Sequence, residues 1–160
     1  MGIPDVLIWR DFRESAKKCS LMPLRGRAGI DIRRYASDRK CDGSGRILLH
    51  PEGPELTAAD RGRGLLILDS SWTRLPKLLE RVEGEPIRRS LPRLVTAYPR
   101  EGKLVKNPEG GLASVEALFA ALCVLGHRDD SLLDQYYFAE EFLRLNPWLG
   151  PPLEQEGRSV

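Results

Sequence analysis

Three short runs of apolar residues, separated by polar and glycine-bearing connections, constrain the fold of this chain most strongly. The runs are DVLIW at residues 5–9, RILLH at 46–50 and GLLILD at 64–69. Continuous apolar runs of this length are typical of strands buried on both faces of a parallel sheet. They predict an α/β fold with a small, mostly parallel sheet and flanking helices. A ligand is then expected at the carboxyl ends of the strands.

The connections around the last two runs carry helix signals. Thr57 is a typical N-cap and Gly62 or Gly64 a typical stop, so residues 46–69 predict a βαβ unit. After residue 69 the stretch SSWTRLPKLLERV predicts a second helix, which a serine caps and Pro76 either starts or bends.

Beyond residue 111 the apolar pattern becomes helical. The run SVEALFAALCVLG predicts a buried helix with Ser114 as its N-cap, Glu116 in its first turn and Gly126 as its stop. The run SLLDQYYFAEEFLRLNP predicts another helix, with Ser131 and Asp134 in capping-box spacing. We therefore expect an α/β domain at 1–90, an all-helical domain at 91–150 and a mobile tail at 151–160.

Composition limits the class of protein. With 160 residues and 41% hydrophobic content the chain can bury one sizeable core, and its net charge of +2 does not by itself indicate nucleic-acid binding. Cys19, Cys41 and Cys123 lie far apart and form no CxxC pair, which favours neither a disulfide framework nor a metal site. The first apolar run is too short for a signal peptide or a membrane span. We expect a reduced, cytoplasmic protein.

Polar residues follow the apolar runs and allow two interpretations each. Asp69 and Trp72 are either a helix cap and a core aromatic, or a carboxylate and an apolar wall facing a cationic ligand. KKCS at 17–20 is either a solvated turn or a loop whose amides face an anion. His50 is either a polar rim residue or a base.

The stretch RSLPRLVTAYP at 89–99 lies between two prolines and allows three interpretations. It predicts an edge strand, a linker between domains, or an extended backbone segment that faces a ligand. Its proline residues favour an extended path without strand partners.

Six blocks, taken in order, resemble the small-subunit ribosomal RNA aminocarboxypropyltransferases, a family of ribosome-biogenesis enzymes. The blocks are KKCS, ILLHP, TAAD, LDSSW, RSLPRLVTAYP and GLASVEALFAAL, and FLRLN near the end also matches. The resemblance spans about residues 17–146. The loop at 99–111 departs from the family's pattern, and Tyr98 stands where the family has asparagine.

The resemblance implies a SPOUT-like, trefoil-knotted fold and S-adenosylmethionine as the cofactor. It implies transfer of the 3-amino-3-carboxypropyl group to N3 of a modified uridine in small-subunit rRNA, with release of 5′-methylthioadenosine. It also implies a monomer that acts on RNA or a pre-ribosomal particle. Two alternatives stay open: a SPOUT-like RNA methyltransferase, and a non-catalytic RNA-binding or ribosome-assembly protein on the same fold.

Carried over residue by residue, the resemblance also implies a cofactor site. Asp69 is the expected catalytic residue and answers the ammonium or sulfonium charge, Trp72 walls in the methyl region, and Ser20 and Ser114 hold the amino acid end. The other expected cofactor-binding residues are Leu48, Leu49, Pro51, Leu94 and Leu112. Basic residues expected to contact RNA phosphates are Lys17, Lys18, Arg25, Arg27 and Arg89.

Overall fold

Five parallel strands form the central sheet of the protein. The structure is a computed structural model that describes residues 5–11, 21–71, 73–97 and 114–149. The sheet contains β1 (Val6–Arg10), β2 (Ile30–Arg34), β4 (Arg46–Leu49), β5 (Gly64–Asp69) and β7 (Ile87–Arg89) in the order β2-β1-β5-β4-β7. A second, two-stranded parallel sheet pairs β3 (Cys41–Asp42) with β6 (Val82–Glu83). A mixed α/β fold with a mostly parallel sheet is thereby confirmed.

The helices of the described residues are few and short. They are α1 (Leu75–Leu79), α2 (Ser114–Val124) and α3 (Ala139–Leu145), with single 3-10 turns at Met22–Leu24, Ala58–Asp60, Asp130–Leu133 and Pro147–Leu149. None of them is long and apolar enough to cross a bilayer. Two of the three α-helices follow residue 91, where we predicted an all-helical half.

Alternation along the strands buries both faces of the sheet. Val6 and Ile8 of β1 face α2 and α3, whereas Leu7 and Trp9 face the opposite side, where Leu78 of α1 packs. These four side chains of β1 are buried. The larger core cluster contains strand residues together with residues from α2 and α3, so the sheet and the C-terminal helices share one apolar core.

All three predicted strands are present, and the connection between the last two is shorter than predicted. Thr57 caps it as expected: its side chain accepts from the Ala59 N–H at 3.2 Å, and the Asp60 carboxylate accepts from the Thr57 N–H at 3.1 Å. The capped element is a single 3-10 turn rather than an α-helix. The connection has the dozen or more residues that a crossover needs, but its first half forms the turn at 50–53 and pairs with Ser90, so only one turn of helix follows Thr57.

Two predicted helix caps were wrong. Helix α1 begins after Arg74 without a side-chain cap, with Pro76 in its first turn, so no serine caps it. Ser131 and Asp134 do not form a capping box. Instead Asp129 accepts from the Ser131 N–H at 3.0 Å and caps a 3-10 turn, and α3 begins eight residues later. The carboxylate of Asp129, two residues before Ser131, offered the better acceptor.

Residues 91–97, within the stretch that holds the two prolines, do not form a strand. Strand β7 ends at Arg89, a bridge joins Glu55 to Ser90, and residues 91–97 then run without regular secondary structure. An ordinary edge strand is therefore excluded for 91–97. Residues 98–113, which contain Tyr98 and the altered loop, lie outside the described part of the chain, as do residues 151–160.

Two glycines with the same backbone angle allow a matched test of helix termination. Gly126 ends α2 as predicted, at φ +84°, and its N–H donates to Cys123 O at 3.1 Å. A Cβ there would lie 2.7 Å from Arg61, whose side chain donates to Leu125 O. Gly26 has φ +86° with nothing within 4 Å of such a Cβ.

We expect Gly26→Ala to lower the free energy of unfolding by about 1–2 kcal/mol, the cost of a left-handed alanine. Gly126→Ala should cost more, because it also displaces the Arg61 guanidinium from Leu125 O. Urea unfolding of both variants measures the difference. Equal losses would show that the Arg61 contact adds nothing to the stability.

Candidate active site

The carboxyl ends of the parallel strands lie along one edge of the sheet. The strand order places a crevice at this edge, between β1 and β5. After β1 the chain continues to β2 on one side, whereas after β5 its next strand in the sheet is β7 on the other side. Ligands of open parallel sheets bind where neighbouring connections diverge in this way. Arg10 and Asp69 are paired in register at these two strand ends.

Three side chains meet in this crevice. The Ser114 hydroxyl at the start of α2 donates to Asp69 Oδ1 at 2.6 Å, and Arg10 Nε lies 3.8 Å from Asp69 Oδ2. Asp69 is only 8% exposed. Helix α2 thus delivers a hydroxyl, and β1 a guanidinium, to a carboxylate at the end of β5. The structure therefore brings together Asp69 and Ser114, two of the predicted site residues.

A second ion pair supports the crevice from the side of α1. Arg74 donates to both oxygens of Asp11, at 3.0 and 3.3 Å, and its guanidinium lies over the Tyr35 ring. The Asp11 N–H also donates to Asp69 O at 2.9 Å. Since Asp11 is 1% exposed, this two-point contact with Arg74 supplies the partner that a buried carboxylate requires. It fixes the chain where it leaves β1.

An apolar wall borders the same edge. Leu49 at the end of β4 packs against the larger core cluster, which contains Leu94, and so do Leu91 and Ala97 of the segment at 91–97. Leu48 packs on the opposite face of the sheet with Leu66 and Leu78, because neighbouring strand residues point to opposite faces. The wall therefore includes the side chains of Leu49 and Leu94 but not that of Leu48.

Two buried polar side chains hold the segment that carries part of this wall. Asn146 Oδ1 accepts from the Val95 N–H at 2.7 Å, and Asn146 Nδ2 donates to Val95 O at 2.8 Å. The Glu116 carboxylate accepts from the Thr96 hydroxyl at 2.6 Å and the Ala97 N–H at 2.9 Å. The predicted first-turn position of Glu116 is confirmed, but its partners come from another segment.

The remaining predicted site residues are spread around the edge or lie outside the described residues. Pro51 and Arg25 are exposed, Arg27 pairs with Asp129 at 2.9 Å, and Arg89 donates to Asp60 at 3.2 Å. The predicted residues for which no placement is described are Lys17, Lys18, Ser20, Trp72 and Leu112. Within 5–11, 21–71, 73–97 and 114–149, no three His, Cys, Asp or Glu side chains are grouped to hold a metal ion.

Sequence reasoning missed Arg10, Asp11 and Asn146 at this site. Arg10 and Asp11 directly follow an apolar run, the same signal that identified Asp69. Asn146 gave no such signal, because it contacts a residue 51 positions away. The two charged residues that follow β1 were therefore the one sequence signal that indicated further residues of this site.

His50 is a buried structural residue in this arrangement. Its Nδ1 accepts from the Glu52 N–H at 3.1 Å, and the His50 N–H donates to Arg89 O at 2.9 Å. Burial, aided by the charge of Arg88, lowers the pKa of His50 below its ordinary value of 6.5. The neutral ring therefore closes the turn after β4, as its hydrogen bond requires an unprotonated Nδ1.

The family described as "Ribosome biogenesis protein, C-terminal" matches residues 47–150 of the chain. The chain belongs to this family. The match includes all of β4 but its first residue, β5, the segment at 91–97 and α2, and therefore includes Asp69 and Ser114 of the crevice.

Similar proteins of known name agree with this assignment. The 16S rRNA aminocarboxypropyltransferase of Thermoplasma acidophilum is 36% identical over 52% of this chain and 48% of that protein. The protein of the same name from Methanopyrus kandleri is 29% identical over 81% of this chain and 77% of that one. In structure, the SAM-dependent rRNA:acp-transferase Tsr3 from Vulcanisaeta distributa matches with a TM-score of 0.72 and 29% identity, over 92% of this chain and 81% of its own.

The lowered pKa of His50 gives a pH dependence of known sign. The unfolded ring takes up a proton below pH 6.5, whereas the folded ring resists protonation, so the contribution to stability is complete above 6.5 and declines as the pH falls. His50→Asn keeps an acceptor for the Glu52 N–H and should therefore flatten the loss of stability between pH 7.5 and 5. Urea unfolding across this range measures it.

His127→Asn, at the other histidine of the chain, is the control. The His50 variant must lose less stability on acidification than both the wild type and this control. A parallel decline of all three would exclude His50 as a source of the pH dependence.

Proposed function

We propose that this protein is an S-adenosylmethionine-dependent transferase that moves the 3-amino-3-carboxypropyl group to N3 of a modified uridine in small-subunit rRNA. The observation that carries the proposal is the similarity to the SAM-dependent acp-transferase Tsr3 over 92% of the chain. Two relatives named for this activity on 16S rRNA support the acceptor.

The residues at the carboxyl edge fit the chemical groups of S-adenosylmethionine. That molecule carries two positive groups, one carboxylate and a flat adenine. Buried Asp69 offers a negative partner to the positive groups, and Arg10 and the start of α2 offer positive potential to the carboxylate. Leu49 and Leu94 offer apolar surface for the adenine. These residues would hold the cofactor, with Ser20, Trp72 and Leu112 as further expected contacts.

Each residue of the crevice has a separate task in the proposed reaction. When bound, S-adenosylmethionine supplies the electrophilic carbon chain that the uridine attacks. Asp69 would hold the positive end of the cofactor and is the proposed acceptor of the uridine N3 proton. Ser114 fixes the orientation of the Asp69 carboxylate through its 2.6 Å hydrogen bond. The apolar wall excludes water from the reacting groups.

Transfer from S-adenosylmethionine labelled separately in the methyl group and in the carboxyl carbon tests the proposal, with unmodified small-subunit rRNA and tRNA as acceptors. Carboxyl label in rRNA with release of methylthioadenosine is the expected result. Methyl label would instead identify an RNA methyltransferase. Absence of both labels and of cofactor binding would identify a non-catalytic RNA-binding protein.

We expect Asp69→Asn to reduce carboxyl-label transfer by about 100-fold or more, because it removes both the negative charge and the proton acceptor. Asp31→Asn on β2 is the matched control, since that exposed carboxylate pairs with Arg33 away from the crevice. Initial rates with saturating RNA measure the effect. Equal rates for the two variants would exclude Asp69 as the catalytic residue.

Lys17, Lys18, Arg25, Arg27 and Arg89 remain the proposed RNA contacts, and the structure distinguishes two of them. Arg25 is exposed, whereas Arg27 donates to the Asp129 carboxylate and to Ser131. Arg25→Ala should reduce the slope of log affinity against log salt by about one, the loss of one phosphate contact, and leave cofactor binding unchanged.

Arg27→Ala should in addition lower the melting temperature, because it breaks the contact between the residues that follow the 3-10 turn at 22–24 and the Asp129 carboxylate. Filter binding at several salt concentrations and thermal unfolding measure the two effects. An unchanged salt slope for Arg25→Ala would remove Arg25 from the RNA contacts.

The proposal extends to a cytoplasmic monomer that acts on the pre-ribosomal particle, and to a SPOUT-like trefoil knot that residues 91–150 complete. The free thiols of Cys41 and Cys123 support a reducing compartment. Contacts of residues 95–97 with both Glu116 of α2 and Asn146 after α3 show that this part of the chain lies against both C-terminal helices.

A further inference from the structure

We infer that Glu116 and Asn146 are positioning residues of the transferase site. They hold residues 95–97 beside the carboxyl edge of the sheet, so that the affinity for S-adenosylmethionine depends on them although neither residue is assigned a contact with it. The inference rests on the proposed function, because it concerns the same site.

The backbone of residues 91–97 is not paired with any strand of the described sheet. Strand β7 pairs with β4, and the pairing continues through Ser90, whose N–H donates to Pro54 O and whose carbonyl accepts from the Leu56 N–H. Residues 91–97 follow without strand pairing. Leu94 of this segment is buried, and backbone groups that leave water need partners, so the side chains that supply these partners help to set the position of the segment.

Asn146 supplies a pair of hydrogen bonds to one residue of the segment. Its side-chain amide accepts from the Val95 N–H at 2.7 Å and donates to Val95 O at 2.8 Å, as the backbone of a neighbouring strand would. The same Nδ2 donates to Phe142 O at 2.8 Å in α3. Asn146 is 2% exposed, so its side-chain amide depends on these protein partners, whereas the Val95 side chain is exposed.

Glu116 continues the contact over the next two residues. Its carboxylate accepts from the Thr96 hydroxyl, the Ala97 N–H and, at 2.8 Å, the Tyr136 hydroxyl. The side chain is fully buried. Three donors from two segments therefore meet at one carboxylate of α2, and they fix the distance between the segment and the helix.

The same helix links this contact to the catalytic carboxylate. Ser114, two residues before Glu116, donates to Asp69 Oδ1. Leu94, next to Val95, is part of the apolar wall. A shift of the segment relative to α2 therefore moves the wall relative to Asp69, which loosens the site without removing any residue that touches the cofactor.

The test compares three substitutions in the full chain, one at Asn146 and two at Glu116. Asn146→Asp keeps the acceptor for the Val95 N–H but places an oxygen against Val95 O and Phe142 O, and should raise the Kd for S-adenosylmethionine about tenfold to hundredfold. Glu116→Gln retains one oxygen for Ala97 and Tyr136, and its amide can donate to the Thr96 hydroxyl. It should bind almost as the wild type does, whereas Glu116→Met should lose as much affinity as Asn146→Asp.

Calorimetric titration with S-adenosylmethionine, at a temperature where thermal unfolding shows each variant folded, separates positioning from stability. Asp130→Ala, which removes the ion pair with Arg128 elsewhere in the helical part, is the control and should lower the melting temperature without changing the Kd. If Asn146→Asp does not fold, Thr96→Val removes one donor to Glu116 and should raise the Kd about two- to fivefold.

A wild-type Kd in folded Asn146→Asp and Glu116→Met, or in Thr96→Val, overturns the inference and leaves the proposed function intact. Failure of the wild type itself to bind S-adenosylmethionine overturns the proposed function, and the inference with it. Loss of affinity in Glu116→Met that Glu116→Gln does not share supports the positioning role.

Discussion

The parallel pairing of β1 with β5 is the contact on which the site depends. It brings Arg10 into register with Asp69 and sends the chain away in opposite directions after the two strands, which opens a crevice at the carboxyl edge. Both strands are buried on both faces, so their register is fixed by the packing of every apolar side chain. A slip of one residue would turn core side chains to the wrong face and separate the charged pair.

Helix α2 is the second element that the site requires, because its start contacts β5 and the residue just beyond its end contacts the connection between β4 and β5. Ser114 at its start donates to Asp69, and Leu125 just beyond its end accepts from Arg61 after the 3-10 turn. Between them, residues such as Leu118 and Phe119 are buried in the larger core cluster. The orientation of the hydroxyl toward Asp69 is thus set by contacts along the whole helix.

The strands buried on both faces could be predicted from the sequence, because continuous apolar runs identify them directly. Strand β2 was missed because its sequence IDIRR belongs to an edge strand with exposed charged residues. Local signals also identified the caps at Thr57 and Gly126, which depend on neighbouring residues. They gave the wrong cap at Ser131, where the competing acceptor lies only two residues earlier.

Part of the site was also predictable from local sequence signals. Asp69 follows a buried strand, and the resemblance added Ser114, but the contacts of Glu116 and Asn146 join residues 19 to 51 positions apart. No rule of sequence spacing relates such residues, because only the folded structure determines which backbone amides lack a partner in the sheet. Arg27 shows the opposite case: its charge indicated RNA, whereas its described contacts are with Asp129 and Ser131.

The link between Arg61 and the end of α2 has a consequence for synthesis of the protein on the ribosome. The contacts that hold α2 in place join residues far apart in the sequence. Ser114 lies 45 residues after Asp69, and Leu125 lies 64 residues after Arg61. While residues 5–97 emerge, the face that α2 and α3 will cover is exposed to solvent. Native packing of that face must therefore wait until the last third of the chain has left the exit tunnel, and during this interval the nascent chain is open to chaperones.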